Sequence, residues 1–284
     1  MNLNKWLIGA RPRTLPAAIA PVAVATALAV SEADFAMAGL ALLASLCLQI
    51  GVNYANDYSD GIKGTDDNRV GPTRLVASGL ASAKSVKQAA LISFFSAAAF
   101  GLVLAVSTSL WLIAIGAAAI LAAWTYTGGK RPYGYLGLGE ISVFLFFGLV
   151  ATMGSYYVQT EKITWQSFIV AIPMGCLACS ILAINNLRDR AQDELVGKRT
   201  LAVRLGDANA RKLFIGLLIL SHVVAIAIPG ENTLLTLVLL PQTLIIANQV
   251  RKGAAGPALI PLLGKTGQLQ LWFAVALSIA LALN

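Results

Sequence analysis

The chain has 284 residues, of which 57% are hydrophobic and 12% charged, and its formal net charge is +8. Its mean hydropathy is +0.75. Soluble globular domains carry about 25% charged residues, so this composition excludes an ordinary soluble domain and indicates an integral membrane protein. The positive charge requires no nucleic-acid partner, because basic loops on one side of a membrane account for it.

Nine segments are uncharged and long enough to be predicted as transmembrane helices. They are Leu15–Val30, Met37–Asn56, Gln88–Ser107, Ser109–Thr127, Ile141–Gln159, Thr164–Leu187, Leu213–Ile228, Leu234–Gln249 and Thr266–Asn284. The expected fold class is therefore an all-α membrane protein with nine transmembrane helices, formed by one domain over residues 1–284. The preceding stretch LNKWLIGARPRTLP combines an apolar face with basic residues, which predicts a helix lying in the membrane interface.

The basic residues predict the orientation of the chain. All of them except Lys162 fall in loops on the same side of the predicted spans. Because basic loops stay in the cytoplasm, we expect a multi-pass protein of the inner or plasma membrane with a cytoplasmic N-terminus.

Two clusters of polar residues close uncharged segments on that cytoplasmic side. Asn53 and Asn56 close the second span and are followed by Asp57 and Asp60; Asn185 and Asn186 close the sixth and are followed by Asp189 and Asp193. Residues three or four apart share one face of a helix, so each cluster is expected to form one polar face. The two spans run in the same direction four helices apart, which predicts two duplicated four-helix units around a central cavity.

The residue types in these clusters favour a magnesium site. Carboxylates brought within 4 Å repel each other by about 4 kcal/mol at an effective dielectric of 20, so a cation is needed between them. Oxygen ligands without nearby His or Cys favour Mg²⁺, which leaves coordination positions for substrate phosphates. The predicted metal ligands are Asp57, Asp60, Asp189 and Asp193. Basic residues suited to phosphate oxygens surround them, namely Lys63, Arg69, Arg74, Lys130, Arg188, Lys198 and Arg199. A diphosphate is the expected ligand.

These motifs resemble those of the UbiA superfamily of membrane prenyltransferases over essentially the whole chain. NDYSDGIKGTD resembles the family's first aspartate-rich motif, NNLRDRAQD its second, and YTGGK (residues 126–130) its YxxxK element. Gly64 stands where the common pattern has a third aspartate, and an acid follows at Asp66. This variant is similar to the branch that prenylates 1,4-dihydroxy-2-naphthoate in quinone synthesis, and it leaves the role of Asp66 open.

The resemblance implies a role for each motif residue. The four aspartates would hold Mg²⁺ on the diphosphate of a polyprenyl donor, and together with Lys130 and Tyr126 they form the expected catalytic set. The expected diphosphate-binding residues are Asn53, Asn56, Arg69, Arg74, Lys130, Lys198 and Arg199. The expected acceptor-binding residues are Tyr126, Arg131, Tyr133 and Glu140. The partners implied are polyprenyl diphosphate, 1,4-dihydroxy-2-naphthoate and membrane lipid. An allylic cation needs aromatic neighbours, for which the candidates are Trp124, Tyr126, Phe144, Phe146, Phe147, Tyr156 and Tyr157.

Three alternatives remain open from the sequence. The same fold can act on another aromatic acceptor, such as 4-hydroxybenzoate, homogentisate, haem or a chlorophyll precursor. A cation-coupled transporter could use the same asparagines and aspartates, although transporters usually bind at mid-membrane depth, where this chain has no acid. A lipid-binding scaffold without turnover is the third. Donor chain length and oligomeric state do not follow from the sequence.

Overall fold

The computed structural model describes residues 3–65, 71 and 73–283, which form helices and turns without a strand. The helices are α1 Leu3–Ala10, α2 Pro16–Ala29, α3 Phe35–Ile62, α4 Ala83–Ser107, α5 Trp111–Thr125, α6 Gly139–Thr160, α7 Trp165–Leu195, α8 Leu201–Ile226, α9 Leu240–Arg251 and α10 Leu259–Ala282. Short 3₁₀ turns include Pro12–Thr14, Tyr133–Leu136 and Glu231–Leu239. The all-α prediction is confirmed.

The predicted number of spans is larger than the structure establishes. Within the described residues, six helices are long and apolar enough to cross a membrane, or seven if the bent pair Asn4–Thr14 and Pro16–Glu32 counts as one span. Helix α5 has 15 residues, and at a rise of 1.5 Å per residue it is about 22 Å long, short of a hydrocarbon core of about 30 Å. Helix α10 is long enough, but polar residues as far as Gln270 lower the hydropathy of its first half.

Local sequence signals explain where the long helices begin and bend. The Asp34 side chain accepts hydrogen bonds from the backbone N–H of Ala36 and Met37, which caps α3. Thr164 and Ser167 form a reciprocal capping box at the start of α7. Gly206 has a φ of 73°, a conformation that favours glycine, and it bends α8 near its first turn.

The N-terminal segment forms a helix, and one side of this helix contacts α3. Helix α1 packs on α3, where the Tyr54 hydroxyl donates to the Trp6 carbonyl at 2.8 Å and the two rings lie edge to face. The chain then turns by 55° into α2. Leu7 and Ile8 of α1 are nevertheless exposed, so its placement in the membrane interface stays a prediction. Helices α1 and α2 form two parts of one bent unit. We call residues 11–15 between them the elbow.

Two large apolar clusters hold the helices together. One joins α2 with α7, α8, α9 and α10, and its largest buried side chains include Phe214 and Phe273. The other joins α1, α3, α4 and α5 with Leu75. Helices α6 and α7 touch closely because Gly148 faces Gly175, where an added Cβ would lie 2.7 Å from a backbone carbon. The proposed duplication into two four-helix units stays a prediction.

A cavity of about 600 Å³ extends between helices α2 to α7. Its wall follows one face of α3 from Ala41 to Asp60, which is about 28 Å along the helix axis. The end near Asp60 is polar, and the remainder is lined by alanine, glycine, leucine, isoleucine and phenylalanine. The molecule thus contains a long pocket with one charged end and one apolar arm.

Candidate active site at the polar end of the cavity

Asp60 is the centre of the charged end. It lies in the last turn of α3 and is buried. The Tyr135 hydroxyl donates to its Oδ1 at 2.6 Å, while Lys198 Nζ lies 3.1 Å and Arg74 Nη2 4.0 Å from its Oδ2. One carboxylate thus brings together two cations from distant loops, and their combined charge is positive. Such a cluster is suited to a polyanion that adds to or replaces the contacts of Asp60.

Lys63 adds a third cation close to this cluster. Its Nζ donates to the Thr127 carbonyl at 2.6 Å, and both Lys63 and Lys198 lie about 5 Å from the centre of the Tyr135 ring. Burial lowers the pKa of the Lys63 amine; nearby Asp60 raises that pKa and Lys198 lowers it. Both ammonium groups therefore make cation–π contacts with the Tyr135 ring, which stabilise them.

Asp57 does not face the cavity, although the sequence predicted it as a metal ligand beside Asp60. Its Oδ2 accepts the backbone N–H of Leu75 at 2.8 Å, and its Oδ1 accepts that of Val76 at 3.0 Å. The side chain is fully buried. Asp57 thus anchors the segment that follows Arg74, and its position on the helix, one turn from Asp60, turns it towards that segment.

Asp189 and Asp193 line the cavity from α7. Asp189 accepts two hydrogen bonds of 2.7 Å from the neighbouring Arg188, and both side chains are buried. The carbonyl of Asp193 accepts the backbone N–H of Lys198 at 2.8 Å, which fixes the turn that presents Lys198. The second motif therefore supplies two carboxylates to the cavity. It also positions Lys198, one of the two cations beside Asp60.

Three predicted metal ligands, Asp60, Asp189 and Asp193, thus share one cavity. In the described part of the chain, however, no three His, Cys, Asp or Glu side chains are grouped closely enough to hold a metal ion by themselves. The oxygens around this end are carboxylate and amide oxygens, which fit Mg²⁺ in kind. Mg²⁺ is usually held by one or two carboxylates together with substrate phosphates, so a preformed cage is not required.

The predicted asparagines and tyrosines also line the cavity. The Asn56 side-chain oxygen accepts a hydrogen bond from the Thr127 hydroxyl at 2.8 Å. Tyr126 and Tyr133 lie edge to face with ring centres 5.5 Å apart, and the Tyr133 hydroxyl pairs with that of Ser142 at 2.8 Å. Burial raises the pKa of Tyr133. The tyrosine pair forms an aromatic wall beside the charged end.

Other predicted residues lie elsewhere. Lys130, Arg131 and Arg199 are exposed and do not line the cavity. Glu140 is buried outside the lining, where its Oε1 accepts a hydrogen bond of 3.0 Å from Asn186. Arg69 and Asp66 lie outside the described residues. Of the basic pair that follows the second motif, Lys198 reaches the site and Arg199 faces away.

Several lining residues were missed by the sequence reasoning. They are Arg11 and Thr14 from the elbow, Gln49 from α3, and Tyr135 from the 3₁₀ turn. Gln49 precedes Asn53 by four residues and therefore continues the polar face of α3, a signal that could have identified it. No comparable signal identifies Tyr135, because its loop contains three other aromatic or basic residues and the sequence does not show which of them faces the cavity.

The apolar arm continues from the tyrosine pair towards the opposite ends of the helices. Of the aromatic candidates, Phe146 and Phe147 line it together with Tyr126, whereas Trp124, Phe144, Tyr156 and Tyr157 do not. Gly101, Gly116 and Gly154 also line the arm, and a Cβ built on any of them meets no atom within 4 Å. The arm can therefore hold a long hydrocarbon chain.

The fold and the cavity define a class of protein: a multi-pass helical membrane protein with a pocket for an amphiphile that has an anionic head and an apolar tail. The profile of the UbiA prenyltransferase family matches residues 18–256, and the chain belongs to this family.

Similar proteins were found both by sequence and by structure. The chain is 50% identical to a 1,4-dihydroxy-2-naphthoate octaprenyltransferase of Mycobacterium tuberculosis, over 99% of this chain and 98% of that protein. It is 43% identical to the protein of the same name from Escherichia coli, over 73% and 70%. A UbiA homologue from Archaeoglobus fulgidus, solved with DMAPP and Mg²⁺, has the same fold with a TM-score of 0.71 at 14% identity, covering 98% of this chain and 99% of that one.

Proposed function

We propose that this protein transfers a polyprenyl group from polyprenyl diphosphate to 1,4-dihydroxy-2-naphthoate, with loss of CO₂ and release of diphosphate. The product would be demethylmenaquinone or its phylloquinone counterpart. The observation that carries the proposal is the cavity itself, which joins a cationic cluster around Asp60 to an apolar arm. The names of the relatives specify the acceptor.

The charged end is proposed to hold the diphosphate of the donor. Lys198 and Arg74 contribute fixed cations, and Lys63 lies close by. As the bond between the prenyl C1 and the diphosphate oxygen breaks, negative charge grows on the leaving group. Cations that are already in place stabilise that charge most in the transition state.

Mg²⁺ is proposed to be held by Asp60, Asp189 and Asp193 together with the diphosphate oxygens. When bound, the ion neutralises part of the leaving-group charge. We assign Asp57 a different role from the one expected for it, because both of its oxygens accept backbone hydrogen bonds. Asp57 positions the segment that carries Arg74.

The apolar arm is proposed to hold the prenyl tail and the aromatic acceptor. Phe146, Phe147 and Tyr126 present aromatic faces that can stabilise an allylic cation. The ring carbon that carries the carboxylate forms the new bond to C1. The bond from that carbon to the carboxylate then breaks, its electron pair returns to the ring, and CO₂ leaves.

The membrane arrangement belongs to the same proposal. We infer nine crossings, with α5 and α10 added to the seven units that qualify by length and composition. Exposed apolar side chains outside the cavity lining on both helices support this count, among them Trp111 and Leu121 on α5 and Trp272 and Val275 on α10. From the positive-inside rule we propose that the charged end lies at the cytoplasmic face of the cell membrane.

An acceptor panel tests the proposal. Membranes containing the protein receive a polyprenyl diphosphate with Mg²⁺ and either 1,4-dihydroxy-2-naphthoate or 4-hydroxybenzoate, and prenylated products are identified by mass. We expect product from the naphthoate alone. Product from 4-hydroxybenzoate alone would keep the reaction class and change the acceptor, whereas cation flux without any prenylated product would indicate a transporter.

A further inference from the structure

Arg11 has an unusual backbone conformation beside the cavity. Its φ and ψ are 52° and 71°, in the left-handed region that glycine adopts readily and other residues rarely. The residue in this conformation carries a long, charged side chain, and that side chain lines the cavity. An outlier of this kind at a pocket wall is a reason to look for a function of the side chain.

A network of polar contacts fixes the elbow to α3 in this position. Arg11 Nη2 donates to the Asn53 carbonyl at 3.2 Å. Asn53 Nδ2 donates to the Ala10 carbonyl at 2.8 Å and to the Thr14 hydroxyl at 3.0 Å, and Gln49 Nε2 donates to the same hydroxyl at 3.1 Å. Arg11, Thr14, Gln49 and Asn53 all line the cavity. The wall here is therefore polar and ordered by hydrogen bonds.

The position of Arg11 separates it from the other cations of the cavity. Within the described residues, the basic side chains that line the cavity are Arg11, Arg74 and Lys198, and the last two are placed on Asp60. Arg11 contacts Asn53, which lies seven residues before Asp60 on the same helix. Two turns of helix correspond to about 10 Å. The cavity wall along α3 thus carries positive charge at two places, one at Arg11 and one at Arg74 and Lys198.

We propose that Arg11 binds the carboxylate of the aromatic acceptor. A guanidinium group matches a carboxylate with two parallel hydrogen bonds, so a part-buried arginine in the cavity wall favours aromatic acceptors that carry a carboxylate. The spacing is compatible with the reaction: with the diphosphate at Asp60, about 10 Å accommodates the leaving group, C1, and a ring carbon in near-attack contact at about 3–3.5 Å. Arg131, the cation expected for this role, is exposed.

This inference rests on the proposed function for the identity of the acceptor, but its test can be read by binding alone. Purified protein in detergent is titrated with 1-hydroxy-2-naphthoate, with 1-naphthol, which lacks the carboxylate, and with inorganic pyrophosphate. The variants are Arg11→Gln, Arg11→Lys and Arg11→Gly. Arg11→Gly suits the left-handed backbone, so its effects report the lost side chain and not a distorted elbow. Arg13→Gln is the matched control, because Arg13 is an exposed arginine of the same turn outside the cavity lining.

We expect Arg11→Gln and Arg11→Gly to weaken 1-hydroxy-2-naphthoate binding at least tenfold. Binding of 1-naphthol and pyrophosphate should change less than twofold, and Arg11→Lys should lie in between. In turnover assays the same variants should raise the acceptor KM and leave the donor KM unchanged. Arg13→Gln should match the wild type throughout.

Other results would overturn the inference. Weakened pyrophosphate binding would assign Arg11 to the donor, and an equal loss of 1-hydroxy-2-naphthoate and 1-naphthol would make it a structural residue of the elbow. If the wild type binds 1-hydroxy-2-naphthoate through Arg11 but prenylates no naphthoate, the aromatic carboxylate subsite stands and the proposed function fails. If the naphthoate is prenylated equally well by Arg11→Gly, the subsite fails and the proposed function stands.

Discussion

Asp57 and Asp60 lie one turn apart in the same motif and nevertheless have different environments. Asp60 faces the cavity and two cations, whereas Asp57 accepts the backbone N–H groups of Leu75 and Val76. Spacing identified both as acidic residues of one polar face. It could not separate them, because the difference depends on where a segment nearly twenty residues later returns to α3.

Replacing Asp57 by alanine should therefore reduce stability as well as donor binding. The buried N–H of Leu75 and the part-buried N–H of Val76 lose their acceptor, and an unsatisfied buried donor costs about 1–3 kcal/mol. We expect a lower midpoint of thermal unfolding in detergent and a higher donor KM, because the segment behind Arg74 loosens. Asp57→Asn keeps one acceptor oxygen and should show a smaller change in both. Unchanged thermal stability in Asp57→Ala with complete loss of turnover would instead identify Asp57 as a direct participant in the reaction.

Lys198 allows a sharper test of the diphosphate site. Its Nζ lies 3.1 Å from Asp60 Oδ2, and the neighbouring Arg199 is exposed. A hydrogen bond to a charged group contributes about 1.5–3 kcal/mol, so Lys198→Met should weaken pyrophosphate binding by about 10- to 100-fold. Arg199→Met is the matched control and should leave that affinity unchanged. Equal effects of the two substitutions would place the diphosphate elsewhere.

At the scale of helices, the hydropathy of the sequence was informative because uncharged runs must be buried in lipid or protein. Each predicted span falls on a helix. The placement of α1 in the membrane interface stays a prediction, because Trp6 packs on α3 while Leu7 and Ile8 are exposed. The contact of Trp6 with Tyr54 could not be predicted from hydropathy, because it joins residues 48 positions apart in the sequence.

Three glycines on three helices allow a test of which part of the cavity holds the tail of a long donor. Gly101 on α4, Gly116 on α5 and Gly154 on α6 line the apolar arm, five or six residues from the helix ends opposite Asp60. They therefore lie at a similar depth, and a side chain at any of them would enter open space in the arm. Replacement by leucine should lower kcat/KM for the longest accepted donors about tenfold or more, a barrier of about 1.4 kcal/mol, and spare geranyl diphosphate.

The chain offers two matched controls for that experiment. Gly39 on α3 and Gly216 on α8 are helical glycines with open space around a built Cβ, and neither lines the cavity. Leucine at these positions should leave the dependence on donor length unchanged. If leucine in the arm lowered the rate for short and long donors equally, the tail would run along another path.

At the scale of the whole molecule, the sequence predicted a charged site at the cytoplasmic ends of two helices, and the structure brings Asp60, Asp189 and Asp193 to one cavity. The apolar arm and the elbow could not be predicted, because cavities depend on how helices pack. Arg11 shows this most clearly: it is one of two arginines beside Pro12, and only the backbone turn at the elbow distinguishes the lining residue from the exposed one.

The most direct test of the central claim is the stoichiometry of a single reaction. Purified protein is given a polyprenyl diphosphate and 1,4-dihydroxy-2-naphthoate labelled in its carboxyl group, with Mg²⁺ or with EDTA, and CO₂, diphosphate and prenylated naphthoquinol are quantified together. We predict equal amounts of all three with Mg²⁺ and none with EDTA. Diphosphate released without CO₂ or prenylated product, by protein shown to be folded, would contradict the assignment of the naphthoate as the acceptor.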